Sequence, residues 1–132
     1  KECLDLLLRG KQPVIVCAAR RLSSNRLLTK FAIPLKEGRL LFLSPFGPKV
    51  RRATVETAVA RNEVVAALAD RVFVPYASHA SKTEALCRRV LDWGKPVLTF
   101  DSSENNSLIA LGATPCDSTD VFAQGCARQV GL

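Results

Sequence analysis

Three times along this chain a helical apolar pattern stops at a glycine, meets Lys or Arg at once, and passes into a short apolar run. The three are LLLRGKQPVIVC around Gly10, LKEGRLLFLS around Gly38 and VLDWGKPVLTF around Gly94. Glycine reaches φ > 0 without a Cβ penalty and so ends helices, and a cation beside it suits the negative end of a helix dipole. A fourth apolar run, Arg71 to Tyr76, follows a helical pattern that stops at Ala69 and Asp70 with no glycine. Runs of Val, Leu, Ile and Phe alternating with helices are what a parallel sheet covered on both faces looks like.

The elements read as helix 2–9, strand 13–18, helix about 25–37 with a break near Pro34, and strand 40–44. Helix about 52–69, strand 71–76, helix 82–93, strand 96–100 and a short helix 106–111 follow, and the tail from Pro115 is read as one more helix. The fold class is therefore α/β: a doubly wound, mostly parallel sheet of about four strands with helices on both faces and right-handed crossovers. Residues 1–132 are read as one domain, with 115–132 as its tail. A chain that opens on a helix without methionine and holds only four strands is expected to be the C-terminal part of a larger domain.

With 132 residues, 48% apolar and 23% charged, the chain has the size and composition of one compact core. No apolar run approaches the roughly 20 residues a bilayer requires; the longest, 13–19 and 40–46, have strand length. The opening KECLDLLLRGK has no small-residue cleavage site and no long apolar core, so it reads as a short amphipathic helix. These features predict a soluble, cytoplasmic protein with no membrane partner. Five widely spaced cysteines (Cys3, Cys17, Cys87, Cys116, Cys126) form no CxxC pair, and His79 is the sole histidine. They read as free core thiols of a reducing compartment, with no metal site. No G-x-S-x-G elbow, phosphate-binding G-x-x-x-x-G-K-[ST] loop or G-x-G-x-x-G fingerprint occurs, so neither a cofactor nor an enzyme activity is expected.

Charge is distributed unevenly. Residues 1–61 hold thirteen Lys and Arg against four Asp and Glu, a net +9; residues 62–132 hold six against eight, a net −2. Such asymmetry favours a polyanionic partner, nucleic acid before membrane. In an open parallel sheet, ligands bind beyond the carboxyl ends of the strands. The loop after the first strand carries Arg20, Arg21, Ser23, Ser24 and Asn25, and the loop after the second carries Ser44, Lys49, Arg51 and Arg52. The third carries Ser78, His79, Ser81, Lys82 and Thr83; the fourth breaks the trend with Asp101 and Glu104. Three of four strand ends thus place cations and hydroxyls on one rim suited to phosphate.

Ser81-Lys82-Thr83-Glu84 is also a capping box, in which Ser81 caps the helix and Glu84 returns the bond. Asn62 stands on the apolar stripe Val55, Ala58, Val59, Ala66, Ala69, either as a structural amide or as one that positions a phosphate-binding loop. His79 reads as an exposed loop histidine. Aromatics make up 6%, too few for an evident base-stacking platform.

From Ala60 to Ala113 the sequence resembles the DNA-processing protein A (DprA, also Smf) family. Arg61-Asn62 matches the family's Arg-Asn pair and leads into EVVAALADRVFVP. Ser81-Lys82-Thr83 stands at its Ser-Gly-Ser/Thr loop, and Asn106-Ser107-Leu108-Ile109-Ala110-Leu111-Gly112-Ala113 matches its N-x-L-I-x-x-G-A. Pro75 replaces the family's glutamate and Lys82 the loop glycine, and the family's serine- and glycine-rich phosphate loops have no counterpart here. The resemblance implies a Rossmann-like domain that binds single-stranded DNA through its phosphates by Arg61, Asn62, Ser81, Lys82 and Thr83. It also implies handover to a RecA-type recombinase; a homodimer is the remaining partner expectation. The rival is a lysine-decarboxylase-like (LOG) nucleoside monophosphate phosphoribohydrolase, whose P-G-G-x-G-T-x-x-E loop is echoed by Thr83-Glu84 with Arg61. YASHASKTE, however, contains no glycine. A nucleotide-binding sensor of the same fold is the third reading.

Overall fold

The computed structural model describes residues 2–22, 29, 31–117 and 129–131. They divide into two compact units, 1–61 and 62–132, so the boundary between Arg61 and Asn62 is also where the charge changes sign.

The first unit runs α1 (Glu2–Leu7), β1 (Val14–Cys17), α2 (Ala32–Lys36) and β2 (Leu40–Leu43), and ends within α3 (Val55–Leu68). β1 and β2 pair in parallel, with Val14 opposite Leu40 and Val16 opposite Phe42. Alternate residues of a strand share a face, so these four apolar side chains look the same way. Val14, Phe31 and Leu40 form the core there, with Leu4 and Leu8 of the first helical segment, Leu35, Val16 and Phe42 packed against them. The rings of Phe31 and Phe42 meet at 5.6 Å.

The second unit continues with β3 (Arg71–Phe73), α4 (Lys82–Asp92), β4 (Val97–Phe100), a 3-10 turn (Ser103–Asn105), α5 (Asn106–Leu111), β5 (Thr114–Cys116) and β6 (Gln129–Gly131). Its sheet has the order β5-β4-β3-β6, every pairing parallel. Val72 and Val97 of the central strands, with Val74 just after β3, pack with Leu86, Cys87 and Val90 of α4 and Leu108 of α5, all nearly excluded from solvent. Thr99, fully buried, donates its hydroxyl to the carbonyl of Val74 at 2.8 Å. The α/β class of parallel strands with covering helices is as expected, but the strands lie in a two-stranded and a four-stranded sheet rather than one sheet of four.

Local chemistry explains the shifted boundaries. α3 starts at Val55 because Thr54 and Thr57 cap each other: Thr57 Oγ1 accepts from Thr54 N at 2.8 Å, and Thr54 Oγ1 accepts from Thr57 N at 3.2 Å. Arg52 therefore lies with Arg51 in the loop, not in the helix expected from about 52. β3 stops at Phe73, two residues before Pro75, which has no N–H for the ladder. Pro34 breaks nothing: it is the third residue of α2, within the first turn, where the helix does not use its N–H. The tail expected as a helix supplies strands at 114–116 and 129–131; residues 118–128, like 25–28 and 30 of the expected second helix, lie outside the described residues.

Gly38 and Gly94 take φ 69° and 72°, as their junctions require, whereas Gly10 does not adopt positive φ. Its carbonyl instead accepts from Arg39 Nη1 at 2.7 Å. The cation after Gly94 behaves alike: Lys95 Nζ donates to the carbonyls of Ala66 (3.1 Å), Ala67 (2.6 Å) and Ala69 (2.9 Å) at the end of α3. Arg39 and Lys95 thus each neutralise the end of the helical segment one junction earlier, not their own. This also explains how α3 ends without glycine and without a basic residue in its last turn.

Candidate nucleic-acid interface

At the carboxyl ends of β1 and β2 the two following loops are joined by hydrogen bonds. Ala18 N donates to Leu43 O and Arg21 N to Val50 O, both at 2.8 Å, and the Ser44 hydroxyl donates to Arg20 O at 2.8 Å while accepting from Phe46 N at 3.1 Å. This stitching brings Arg20 and Arg21 from one loop to the same end of the sheet as Lys49, Arg51 and Arg52 from the other. Arg20, Lys49, Arg51 and Arg52 are exposed and Arg21 is half-buried. None of the five has a carboxylate partner among the described residues. Five uncompensated cations on hydrogen-bonded loops suit an anion with several phosphates. Ser23, Ser24 and Asn25 lie outside the described residues.

Arg61, half-buried on α3, reaches the same end of β1, but its Nη1 donates to the carbonyl of Cys17 at 2.9 Å. Burial pushes the Cys17 thiol up from its ordinary value, and the Arg61 charge pulls it part of the way back. Asn62, at the start of the second unit, is half-buried and already has an interaction partner. The stripe on which it was read is not core along its whole length, because Val55 is 56% exposed while Ala66 and Ala69 are buried.

In the second unit the Ser81 loop is built by its own caps. Ser81 Oγ accepts from Glu84 N at 3.1 Å, and Glu84 Oε2 accepts from Ala80 N at 3.1 Å, with His79 Nδ1 3.3 Å away. Ala80 takes φ 57°, so this loop adopts a glycine-like turn without glycine. Glu84 is 6% exposed, while Lys82 is exposed and Thr83 half-buried at the start of α4. The capping role of Ser81 is present in full, and the loop after β4 adds the exposed carboxylates Asp101 and Glu104.

Sequence reading missed Asn105. Its Nδ2 donates to Pro75 O at 3.0 Å and Phe100 O at 3.1 Å, tying the loop after β3 to the end of β4; buried Oδ1 has no partner among the described residues. The run DSSENN offers no signal that separates Asn105 from Asn106. Cys17 and Cys87 are buried free thiols, as read, whereas Cys116 is a free thiol only half-buried, and the described residues hold no metal-binding cluster. No helix among them is long and apolar enough to cross a membrane.

No protein-family model matches this sequence, and neither does any curated protein. Among solved structures, the chain is similar to the X-ray structure of DNA processing protein A (DprA) from Streptococcus pneumoniae, with a TM-score of 0.65 and 21% identity. The match covers 89% of this chain and 44% of that one, so the chain spans less than half the length of its structural neighbour. At that identity the likeness establishes the fold: a Rossmann-like α/β arrangement of the kind found in that protein.

Proposed function

We propose that this protein binds single-stranded DNA through its phosphates, in a DNA-processing role like that named for its structural neighbour. The observation that carries the reading is the pair of hydrogen-bonded loops presenting Arg20, Arg21, Lys49, Arg51 and Arg52 without carboxylate partners. Lys82 and Thr83 at the start of α4 are a second, smaller group of candidate contacts, with Ser81 capping that helix and Asn62 a further candidate contact. Buried free thiols at Cys17 and Cys87 support a cytoplasmic setting. Handover to a RecA-type recombinase and self-association as a homodimer belong to the same proposal, and co-sedimentation with each partner checks them.

Fluorescence anisotropy with a labelled oligonucleotide across a salt series tests the reading. Single strands give a slope of about −0.7 per phosphate contacted, so five contacts predict about −3.5 and a loss of roughly a hundredfold between 50 and 200 mM salt. Arg51→Ala with Arg52→Ala should make the slope shallower by about 1.4 and weaken all sequences alike. Binding absent at low salt, or indifferent to salt, refutes the proposal. The phosphoribohydrolase reading is favoured only by the glycine-like turn at Ala80 beside buried Glu84. Incubation with AMP is expected to release no adenine, and release would replace DNA binding with hydrolysis.

A further inference from the structure

Arg61 matches a family position that the resemblance makes a phosphate contact, but the geometry points to a different role. We propose that Arg61 is a positioning residue, whose guanidinium ties α3 to the exit of β1 and thereby fixes the loop carrying Arg20 and Arg21. The inference rests on reading the two basic loops as the phosphate-binding surface.

Arg61 Nη1 lies 2.9 Å from the carbonyl of Cys17, the last residue of β1, 44 positions away in the chain. Cys17 is 8% exposed, so its carbonyl sits at a buried strand end where a lost donor is costly. Immediately beyond it, Ala18 N bonds Leu43 O, the Ser44 hydroxyl bonds Arg20 O and Arg21 N bonds Val50 O, so the backbone from Cys17 to Arg21 is held at four points. Arg61 supplies the only one of these four that comes from a helix rather than from β2 or its loop. Arginine suits this use because its planar fork is permanently charged and donates from a long reach. A guanidinium so engaged is half-buried, whereas Arg20 and Arg51 are exposed.

The test compares Arg61→Met, which removes donor and charge, with Arg61→Gln, which removes the charge but keeps a donor. Oligonucleotide affinity is measured across salt, and backbone amide exchange is measured at Ala18 and Arg21 against Val72 in β3 and Val74 just beyond it. A positioning role predicts that Arg61→Met binds about tenfold more weakly at every salt, with the slope unchanged. Exchange at Ala18 and Arg21 should quicken several-fold while β3 stays as it was, and Arg61→Gln should recover part of both losses. A slope shallower by about 0.7 with undisturbed loop exchange means a direct phosphate contact and overturns the inference. Unchanged exchange in Arg61→Met overturns it too. If the parent protein binds no oligonucleotide, the proposed function falls, and the exchange comparison alone still decides for or against the strut. If Arg61→Met does not fold, Arg61→Gln carries the same readings: loss of affinity at constant slope supports the role and a slope shallower by about 0.7 refutes it.

Discussion

Replacing Lys95 with methionine keeps an unbranched side chain of similar length and removes one ammonium that donates to three carbonyls, those of Ala66, Ala67 and Ala69. A hydrogen bond from a charged group contributes about 1.5–3 kcal/mol when its partner is left dry, and a cation at a helix C-terminus adds about 0.3–1 kcal/mol. Ala67 is exposed, so its carbonyl recovers water in the variant; Ala66 and Ala69 are buried and recover little. The summed loss, from two carbonyls left dry and one helix-end cation, is therefore about 3–7 kcal/mol, short of three full bonds. A chain of this size has a total stability of roughly 7–20 kcal/mol, so the loss is a visible fraction of it. Trp93, the sole tryptophan, sits with its ring 5.9 Å from Lys95 Nζ and reports directly on this unit. Urea unfolding followed by Trp93 fluorescence should show the midpoint falling by about 1 M or more at unchanged slope, with circular dichroism as a second probe because the variant also loses the cation above the ring. Lys82→Met, an exposed lysine of the same unit, should leave the midpoint where it is. A Lys95→Met midpoint within error of the parent would refute the claim that this lysine closes α3.

Gly38→Ala and Gly94→Ala should each cost about 1–2 kcal/mol from backbone strain alone, because φ is 69° and 72° and an added Cβ meets nothing within 4 Å. Gly10→Ala should cost far less, since φ is not positive there and its Cβ meets the mobile end of Gln12 at 3.1 Å; equal losses at all three in thermal melts would contradict the assignment. Burial holds the Cys87 thiol at about 11 against an ordinary 9.0, so the folded form keeps its proton while the unfolded form loses it. Stability from this group is whole below pH 9 and is lost as pH rises from about 9 to about 11, by up to roughly 2–3 kcal/mol. Cys87→Ala, less stable at neutral pH, should show a shallower decline across that window in urea midpoints, and a decline as steep as the parent's would refute the cause.

The helix and strand alternation was legible because it rests on features each segment carries alone: apolar runs, and glycines such as Gly38 and Gly94 that must turn left-handed. Gly10 looked identical in sequence, and only its place in the fold distinguishes it, since its carbonyl is held by Arg39 29 residues away. The same separation hid the partner of Lys95, and a separation of 44 hid that of Arg61. The Ser81 capping box could be read because both partners lie within one turn. Asn105 could not, because its role is defined by Pro75, 30 positions earlier.

Position along the strand, more than the count of charges, separates the cations that hold this protein together from those available to a partner. Arg39 and Lys95 stand just before β2 and β4, where preceding helical segments end and bare carbonyls collect. Both are taken up by those carbonyls, and Arg39 also pairs with Glu37. Arg20, Arg21, Lys49, Arg51 and Arg52 stand just after β1 and β2, in loops where the carbonyls of Cys17 and Arg20 already accept from Arg61 and Ser44. A cation there finds no helix end to neutralise and stays available for an external anion. The net +9 of the first 61 residues is thus a sum over unlike roles. The part of it that bears on DNA is the part found at the carboxyl ends of the strands.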